Sequence, residues 1–326
     1  MKMLLPLEIF SYFISLMITF IIKQRFSQQL LDIPNERSSH TQPTPRGGGL
    51  GFIIAFAITS SVYTINNSSF EQLIFLWLVL VPLSIIGIID DNQNVPATIR
   101  YLVQLLAAGI AIFHFHPFVF PGLDNLGMTG YLIAIALTVI GFTAMINFYN
   151  FMDGLDGIVG GCSALQLGFL AIYLNQPLLW LLVAGIMGFL WWNWYPAKIF
   201  MGDAGSTVLG ATVAIALLNN HTDIIHAWSA VAIIFPLIAD AIYTLIRRII
   251  KGENIFQAHR SHIYQRLQQS GWPHSQVAST YIGVNLVIGV SVYYFELRGF
   301  LMSFLVVILG IILGEIYLVT HDKNYV

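Results

Sequence analysis

Cysteine and charged residues are both scarce in this sequence of 326 residues. The single cysteine, Cys162, excludes an internal disulfide bond. Asp, Glu, Lys and Arg together account for 9% of the residues, whereas hydrophobic residues account for 57%. A soluble domain could not bury so much apolar surface. The composition, with a mean hydropathy of +0.76, therefore indicates an integral membrane protein.

Long apolar stretches cover most of the chain. A helix that crosses a bilayer needs about 20 apolar residues, and we identify about eleven such stretches. They predict an all-α, polytopic fold, with residues 1–326 in one membrane-embedded domain. No small-residue cleavage site follows the first stretch, so we expect it to remain as a span. The stretches lie near residues 4–22, 47–65, 71–89, 99–116, 128–147, 158–175, 177–195, 206–220, 226–246, 277–295 and 299–319.

Basic residues are distributed unevenly between the two sides that these stretches imply. If the N-terminus faces outside, all but Lys2 and Arg298 of the 14 Lys and Arg residues fall on the inner side. Basic residues concentrate on the cytoplasmic side of membrane proteins. We therefore predict an external N-terminus and cytoplasmic loops that carry the acidic strings described next.

Two adjacent aspartates, Asp90 and Asp91, end the third stretch in the string DDNQN. A solvated helix end would explain them. However, acidic residues at a helix C-terminus oppose the helix dipole, and two like charges side by side repel each other. We therefore predict that the pair positions a metal ion, binds a lysine or acts as a base.

A second polar string, NFYNFMDGLDG, spans residues 147–157. Asn147, Asn150, Asp153 and Asp156 recur every three residues, and each step of three turns about 60° away from a common helix face. A break at the two glycines would bring these side chains together and let a ligand approach the backbone. Polar residues at membrane depth are costly without partners, which favours a binding site over a capped helix end.

The string FMGDAGS, residues 200–206, precedes the eighth stretch. Asp203 or Ser206 could simply cap the following helix. Glycines at a helix N-terminus also favour a phosphate site, and a carboxylate there would suit a divalent metal ion. We therefore predict a function for Asp203.

The last large inner loop contains the string HRSHIYQR, residues 259–266. Arg260 and its neighbours could bind lipid headgroups, whereas a zinc site at His259 and His262 lacks a third nearby ligand. Anion binding or proton transfer fits the two histidines better. We also predict a short interfacial helix over Glu253–Gln269.

Several isolated polar residues lie in or beside the apolar stretches. The triple glycine after Arg46 serves either close helix packing or a function. Asp240 either acts in a site or pairs with an arginine of the inner loop. For Glu315, His114 and His116 we expect structural roles.

The strings DDNQN, NFYNFMDGLDG and FMGDAGS together resemble those of the polyprenyl-phosphate N-acetylhexosamine-1-phosphate transferases. This is glycosyltransferase family 4, which includes the phospho-N-acetylmuramoyl-pentapeptide transferase, and the resemblance runs from about Asp32 to Arg266. It implies that an oxygen of undecaprenyl phosphate attacks the β-phosphorus of a UDP-N-acetylhexosamine, which yields a lipid-linked diphosphosugar and UMP. It also implies Mg²⁺, for which Mn²⁺ could substitute, and a bacterial cytoplasmic membrane. We expect membrane lipid as a partner and no nucleic acid, and the resemblance is compatible with a homodimer.

The resemblance suggests roles for the acidic residues. It implies that Asp203 holds the metal ion, and the chemistry of Mg²⁺ would add Asp153 or a member of the Asp90–Asp91 pair. A phosphate monoester has a second pKa of about 6, so the lipid phosphate needs no strong base. We therefore favour direct attack, with Asp90 positioning or deprotonating the phosphate, over a covalent aspartyl intermediate.

On the donor side, the resemblance implies that Gly154, Leu155 and Asp156 hold uracil, that Phe200 stacks on the base and that His262 contacts the diphosphate. The predicted catalytic residues are Asp90, Asp91, Asp153 and His262, and the predicted metal ligands are Asp203 and Asp153. The predicted substrate-binding residues are Asn147, Asn150, Gly154, Leu155, Asp156, Phe200, His259, Arg260, Arg46 and Tyr264.

The last loop departs from the family's pattern. Members that use UDP-N-acetylglucosamine or the muramoyl-pentapeptide nucleotide carry further histidines where this chain has His262, Ile263, Tyr264 and Gln265. The chain is therefore similar to the branch that initiates O-antigen or related surface glycans from 6-deoxy sugars such as UDP-N-acetylfucosamine or UDP-N-acetylquinovosamine. Tyr264 would then lie beside the sugar's C6. UDP-N-acetylglucosamine is the alternative.

Two other classes of membrane protein also contain polar residues at membrane depth. Secondary transporters have broken helices and buried acids, but these usually lie near the midplane within inverted repeats. The acids here lie at one interface, and we find no repeat. A scaffold or lipid-binding protein would leave the acidic strings unexplained. The transferase is therefore the favoured hypothesis.

Overall fold

The computed structural model describes residues 3–25, 30–34, 39–40, 42–67, 70–219, 223–255, 257 and 259–321. They form helices, a short 3-10 turn at Leu123–Leu126 and two strands, β1 (Leu31–Asp32) and β2 (Thr44–Pro45), which pair antiparallel. The helices are α1 (Leu4–Arg25), α2 (Leu50–Asn67), α3 (Phe70–Gln93), α4 (Ala97–Phe115), α5 (Gly127–Met152), α6 (Ile158–Tyr173), α7 (Leu179–Asn193), α8 (Asp203–Leu218), α9 (Ile224–Ala232), α10 (Phe235–Ile250), α11 (Ile263–Gln269), α12 (His274–Phe295) and α13 (Leu297–His321).

Each predicted apolar stretch contains a helix, which confirms the all-α, polytopic fold. Within the described residues, six helices are long and apolar enough to cross a membrane. The count becomes seven if α9 and α10, which are bent by 73°, form one broken span. The predicted number of eleven spans is therefore not confirmed, and the orientation of the N-terminus stays a prediction. The shorter apolar helices are α2, α6, α7 and α8.

Helix α8 lies at the centre of the bundle, with nearly all its residues buried against α3, α5 and their neighbours. Small residues allow this contact. A Cβ atom on Gly210 would lie 2.8 Å from the Cα of Ile146 on α5, and one on Gly87 of α3 would lie 2.4 Å from the Cα of Ala204. Such contacts are typical of membrane bundles. The packing fixes Asp203, the first residue of α8, relative to the ends of α3 and α5.

The triple glycine at residues 47–49 lets two loops approach each other closely. The Gly49 N–H donates to the Met201 carbonyl at 2.9 Å, and a Cβ atom on Gly49 would lie 2.5 Å from the Cα of Gly205. Close packing is therefore the structural reason for this glycine. The contact places Arg46 beside the FMGDAGS string.

Asp240 of α10 organises the last loop. The N–H groups of Ile263 and Tyr264 donate to its carboxylate at 2.9 and 3.1 Å, and the Tyr281 hydroxyl donates at 2.6 Å. Asp240 thus caps the buried helix α11 from a neighbouring helix, and in the described chain it does not pair with an inner-loop arginine. The predicted interfacial helix over Glu253–Gln269 is wrong, because the described helix begins only at Ile263 and packs inward.

Glu315 joins three helices, α10, α11 and α13. Its carboxylate accepts hydrogen bonds from the Tyr243 hydroxyl at 2.8 Å and from Arg266 Nη2 at 3.0 Å, and Arg247 Nη1 lies 3.7 Å away. His114 stacks on a phenylalanine of α3, with 4.1 Å between ring centroids. These contacts give both residues the structural roles expected for them.

Candidate active site

A cavity of 310 Å³ lies at one end of the bundle, where the β1–β2 segment, the ends of α3, α5 and α7 and the beginning of α8 meet. The structure brings residues from the three acidic strings and from the glycine-rich loop to its wall. The predicted site residues that line it are Arg46, Asp91, Asp153, Gly154, Leu155, Asp156, Phe200 and Asp203.

Asp91 caps helix α8. The backbone N–H of Asp203 donates to both carboxylate oxygens of Asp91, at 3.1 and 3.0 Å. Gly202 precedes this contact with a φ of 79°, and a Cβ atom there would lie 2.5 Å from Asp91 Oδ2. A carboxylate at a helix N-terminus is favourable because it satisfies a free N–H and the helix dipole. Asp91 therefore holds Asp203, the first residue of α8, in position.

Asn150 orients the Asp203 side chain. Its amide Nδ2 donates to Asp203 Oδ1 at 2.9 Å and to Ser206 Oγ at 3.1 Å. The asparagine is at the end of α5, so the contact joins the NFYNFMDGLDG and FMGDAGS strings. One oxygen of Asp203 is thereby held.

Asp153 follows the last residue of α5 and lines the same cavity. Burial, together with the negative charges of Asp203 and Asp91, raises the pKa of Asp153 to about 8. Arg46 also lines the cavity, but its guanidinium is bound to Asp32 at 2.8 Å. The cavity therefore carries an excess of acidic groups that a bound cation would neutralise.

The carboxylates at the cavity suit a hard divalent cation that also binds phosphate oxygens of a substrate. Within the described ranges, no three His, Cys, Asp or Glu side chains converge closely enough to hold a metal ion. Mg²⁺ usually takes one or two protein carboxylates and completes its shell with water and substrate phosphates. Asp203 and Asp153 line the same cavity and could supply such a pair.

Asp90 lies on the other side of Asp203. Its carboxylate accepts hydrogen bonds from Arg100 Nη1 and from the Val95 N–H, each at 2.6 Å. It lines a second, smaller cavity of 20 Å³. The other residues predicted for the site that line this cavity are Asn147, Asn150 and Asp203. The aspartate pair is thus divided between two cavities, and Asp203 borders both.

The turn at residues 153–157 is fixed around Asp156. The Ala197 N–H donates to Asp156 Oδ2 at 2.9 Å, and His274 Nδ1 lies 3.2 Å from Asp156 Oδ1. Leu155 is buried beside it, at 5% exposure. Phe200 also lines the cavity, and its ring is edge-on to that of His40, with 4.8 Å between the ring centroids.

The structure does not bring Tyr264 or His262 to either cavity wall. Tyr264 is fully buried, and its hydroxyl donates to the Phe151 carbonyl at 2.9 Å. His262 is 2% exposed, and its Nδ1 lies 3.5 Å from Asp240. Their predicted contacts with the substrate stay predictions. Tyr264 packs against the end of α5, where its hydroxyl lies next to Gly154, a residue of the larger cavity's wall, whereas His262 packs against Asp240.

His259 and Arg260 also lie away from both cavities. His259 Nδ1 is 3.0 Å from the Ser261 hydroxyl, and Arg260 Nη2 donates to the Ser39 hydroxyl at 3.0 Å. Burial and the charge of His262 lower the pKa of His259 to about 4, so it is neutral near pH 7. A neutral imidazole still has one N–H to donate to an anion, so the predicted contact of His259 stays a prediction. Arg260 instead ties the last loop to the segment before β2.

Five residues that the sequence analysis did not single out also line the larger cavity. Asn193 ends an apolar stretch as Asn150 does, so its position alone could have indicated it. The N–H of Gly157 donates to its Oδ1 at 3.1 Å. The others carried no comparable pattern. The five are Asp32, Ser39, His40, Asn193 and His274.

Comparisons with known proteins cover the same segments. A sequence profile described as Glycosyl transferase family 4 matches residues 73–221, which include Asp90, Asp91, Asp153 and Asp203. The "Probable undecaprenyl-phosphate N-acetylglucosaminyl 1-phosphate transferase" of Bacillus subtilis (strain 168) is 29% identical over 305 residues, covering 88% of this chain and 83% of that protein. The phospho-N-acetylmuramoyl-pentapeptide-transferase of Bacillus pumilus (strain SAFR-032) is 30% identical over 305 residues, covering 86% of this chain and 92% of that protein.

Proposed function

Because this chain belongs to glycosyl transferase family 4, we propose that it transfers an N-acetylhexosamine 1-phosphate from a UDP-sugar to undecaprenyl phosphate. The products are undecaprenyl-diphospho-sugar and UMP. The observation that carries the proposal is that Asp91, Asp153 and Asp203 line one cavity while Asp90 lines another on the far side of Asp203. Two anionic substrates can therefore approach the same carboxylate from different sides.

The larger cavity suits the nucleotide donor. Gly154, Leu155 and Asp156 would hold uracil at the turn after α5, and Phe200 would stack on the base. Asp156 is already oriented by the Ala197 N–H and by His274, so little ordering is needed when the base binds. Pre-oriented polar groups lower the entropic cost of binding.

Mg²⁺ is the proposed cofactor, and Mn²⁺ could replace it. Asp203 and Asp153 would hold it, since both line the cavity and Asn150 and Asp91 fix the position of Asp203. When bound, the ion would neutralise charge on the donor diphosphate and on the departing UMP. Loss of the proton favoured on Asp153 would accompany binding, because a metal ligand must be ionised.

The Asp90 side of Asp203 is the proposed place for the acceptor phosphate. Its cavity of 20 Å³ has room for about one water molecule, so the side chains around it would move apart when the phosphate binds. Asp90 is held by Arg100 and the Val95 N–H, and Arg100 offers a guanidinium for an anion. An acceptor oxygen forms a new bond to the β-phosphorus, the bond from that phosphorus to the bridging oxygen breaks, and UMP leaves. A phosphate monoester with a second pKa of about 6 is already largely dianionic at neutral pH. Asp90 therefore positions the phosphate, or takes its last proton when the monoanion binds.

The choice of sugar depends on the last loop and on the known relatives. The missing histidines of the last loop favoured a 6-deoxy sugar, with Tyr264 beside its C6, but Tyr264 is fully buried behind Gly154. A relative from Bacillus subtilis is named for N-acetylglucosaminyl 1-phosphate transfer. We therefore place UDP-N-acetylglucosamine first, with UDP-N-acetylfucosamine or UDP-N-acetylquinovosamine, and a role in O-antigen-type glycans, as the second candidate.

Release of UMP tests the proposed function directly. Purified protein would be incubated with undecaprenyl phosphate, Mg²⁺ and each UDP-N-acetyl sugar in turn, with EDTA as the control. Metal-dependent UMP together with a matching lipid diphosphosugar supports the proposal, and the highest kcat/KM identifies the sugar. Absence of UMP with every nucleotide, from protein that unfolds cooperatively, overturns it and favours the transporter or scaffold hypothesis.

A further inference from the structure

A second large cavity, of 450 Å³, lies between α10, α11, α12 and α13. None of its lining residues lines the candidate active site. Helix α11 separates the two: Ile263 and Leu267 face the apolar cavity, whereas Gln265 faces the site. The cavity is therefore a distinct feature of the fold.

The wall of this cavity accepts hydrocarbon and little else. Its surface comes mainly from aliphatic residues of α12 and α13, such as Val284 and Ile311. Three of the polar side chains that reach it are already hydrogen-bonded: Tyr281 donates to Asp240 at 2.6 Å, Asp240 caps α11, and Thr280 donates to the Gln276 carbonyl at 2.9 Å. The wall therefore favours an apolar ligand, and apolar cavities do not retain water.

The volume matches one lipid chain. A 150 Å³ apolar cavity holds one benzene molecule, so 450 Å³ holds about 18 carbon atoms on the same scale. That is the length of a phospholipid acyl chain. An undecaprenyl chain is several times longer.

A basic cluster lies beyond the lining residues of the cavity, toward the end of α10. Pro236, Ala239, Tyr243 and Arg247 follow one face of α10 at helical spacing, so the wall of the cavity continues into Tyr243 and Arg247. Arg247 and Arg266 both contact Glu315 there. Two guanidiniums beside one carboxylate leave a positive charge at the mouth, which complements a phosphate.

From this geometry we infer that the cavity binds one acyl chain of an anionic phospholipid, whose phosphate lies at Arg247 and Arg266. The occupant is a membrane phospholipid and not the acceptor, because a phosphate at these arginines is separated from Asp91 and Asp203 by helix α11. The inference is independent of the proposed transferase activity.

Gly310 supplies the variant that tests this site. It lines the cavity, and a Cβ atom there would meet nothing within 4 Å, so the side chain of Gly310→Leu starts in open space and reduces the volume of the cavity. Gly283→Leu is the matched control, because Gly283 also faces open space but lies on the exposed surface of α12, outside the cavity. Both proteins would be purified in mild detergent and incubated with phosphatidylglycerol and phosphatidylcholine of equal chain length.

Native mass spectrometry would then count the retained lipids. We expect wild type and Gly283→Leu to retain one phosphatidylglycerol molecule, with at least about tenfold preference over phosphatidylcholine. Gly310→Leu should retain about tenfold less phosphatidylglycerol than wild type. Arg247→Gln should remove the preference for phosphatidylglycerol. Equal retention by Gly310→Leu and wild type would overturn the inference, as would retention of undecaprenyl phosphate in place of phosphatidylglycerol in a direct competition.

Thermal unfolding of the wild type gives a second test that requires no variant. Added phosphatidylglycerol should raise the Tm of delipidated protein more than phosphatidylcholine does, because a ligand that binds only the folded state stabilises it. An identical Tm with and without phosphatidylglycerol would contradict the inference.

Discussion

The carboxylate of Asp91 accepts the backbone N–H of Asp203 with both of its oxygens, at 3.1 and 3.0 Å. Its neighbour Asp90 instead binds Arg100 and faces a different cavity. Two adjacent residues of identical chemistry therefore have different partners. One fixes the proposed metal ligand, and the other faces the proposed acceptor side.

Substitution of Asp91 should weaken metal binding through the position of Asp203. Asp91→Ala removes a charged acceptor, which typically costs about 1.5–3 kcal/mol, so we expect the Mg²⁺ concentration for half-maximal UMP release to rise at least about tenfold. Asp91→Asn keeps one acceptor oxygen and should have a smaller effect. Equal effects of the two substitutions would contradict the capping role.

Asp203→Asn should abolish turnover while the protein still inserts and folds. Loss of a charge-stabilising group in an active site commonly lowers kcat by about 100-fold or more. Asp223→Asn is the control, because Asp223 precedes α9 at the opposite end of the bundle. Initial rates of UMP release at saturating substrates would be compared. Retained activity in Asp203→Asn would exclude the metal role.

Gly87→Ala should disturb both packing and activity. The added Cβ would lie 2.4 Å from the Cα of Ala204, so α3 and α8 must separate, at a cost of about 1–3 kcal/mol. We expect a lower Tm and a lower kcat. Gly109→Ala on α4 is the control, since a Cβ there meets nothing within 4 Å and alanine favours the helix. Matching Tm values for the two variants would disprove the contact.

Tyr264→Phe should change stability and not sugar preference. The substitution leaves the Phe151 carbonyl without its donor, which should lower the free energy of unfolding by about 1–3 kcal/mol. The ratio of kcat/KM for UDP-N-acetylglucosamine to that for a 6-deoxy sugar should stay unchanged. Tyr294→Phe, at a position 71% exposed, serves as the control. A shifted ratio would restore Tyr264 as a residue that reads the sugar.

His259→Gln should make the protein less sensitive to acid. The pKa of His259 is lowered to about 4 in the folded state, whereas a histidine in an unfolded chain has a pKa of about 6.5. Between these values the unfolded state binds the proton and the folded state does not, so stability falls as pH decreases from about 6.5 to about 4. Above that window the residue contributes nothing.

The measurement is the change in Tm between pH 7 and pH 5. It should be smaller in His259→Gln than in wild type, and His321→Gln, at an exposed position on α13, should behave as wild type does. An unchanged Tm difference in His259→Gln would show that His259 is not buried in its neutral form.

The position of the acidic strings was predictable from the sequence. A bilayer penalises each polar group, so polar residues at the end of an apolar stretch need a partner. That argument led to Asp91, Asp153 and Asp203, which line one cavity. It could not separate Asp90 from Asp91, because their division depends on a helical step of about 100° between neighbours.

Contacts between distant segments were not predictable. His274 Nε2 lies 3.1 Å from the carbonyl of Ser39, 235 residues away, and neither residue belongs to a pattern. The position of the last loop was not predictable for a related reason. It depends on Asp240 in the preceding helix, and no sequence pattern within the loop indicates that contact.

The capping of α11 by Asp240 also bears on how the chain is made. A carboxylate in mid-helix costs about 2.5–3.5 kcal/mol during insertion into the bilayer. Its partners Ile263, Tyr264 and Tyr281 all emerge later in synthesis. Asp240 therefore lacks at least one of these donors until Tyr281 has been synthesised. A seven-residue helix is marginal alone, so we expect α11 to form only when it packs against Asp240.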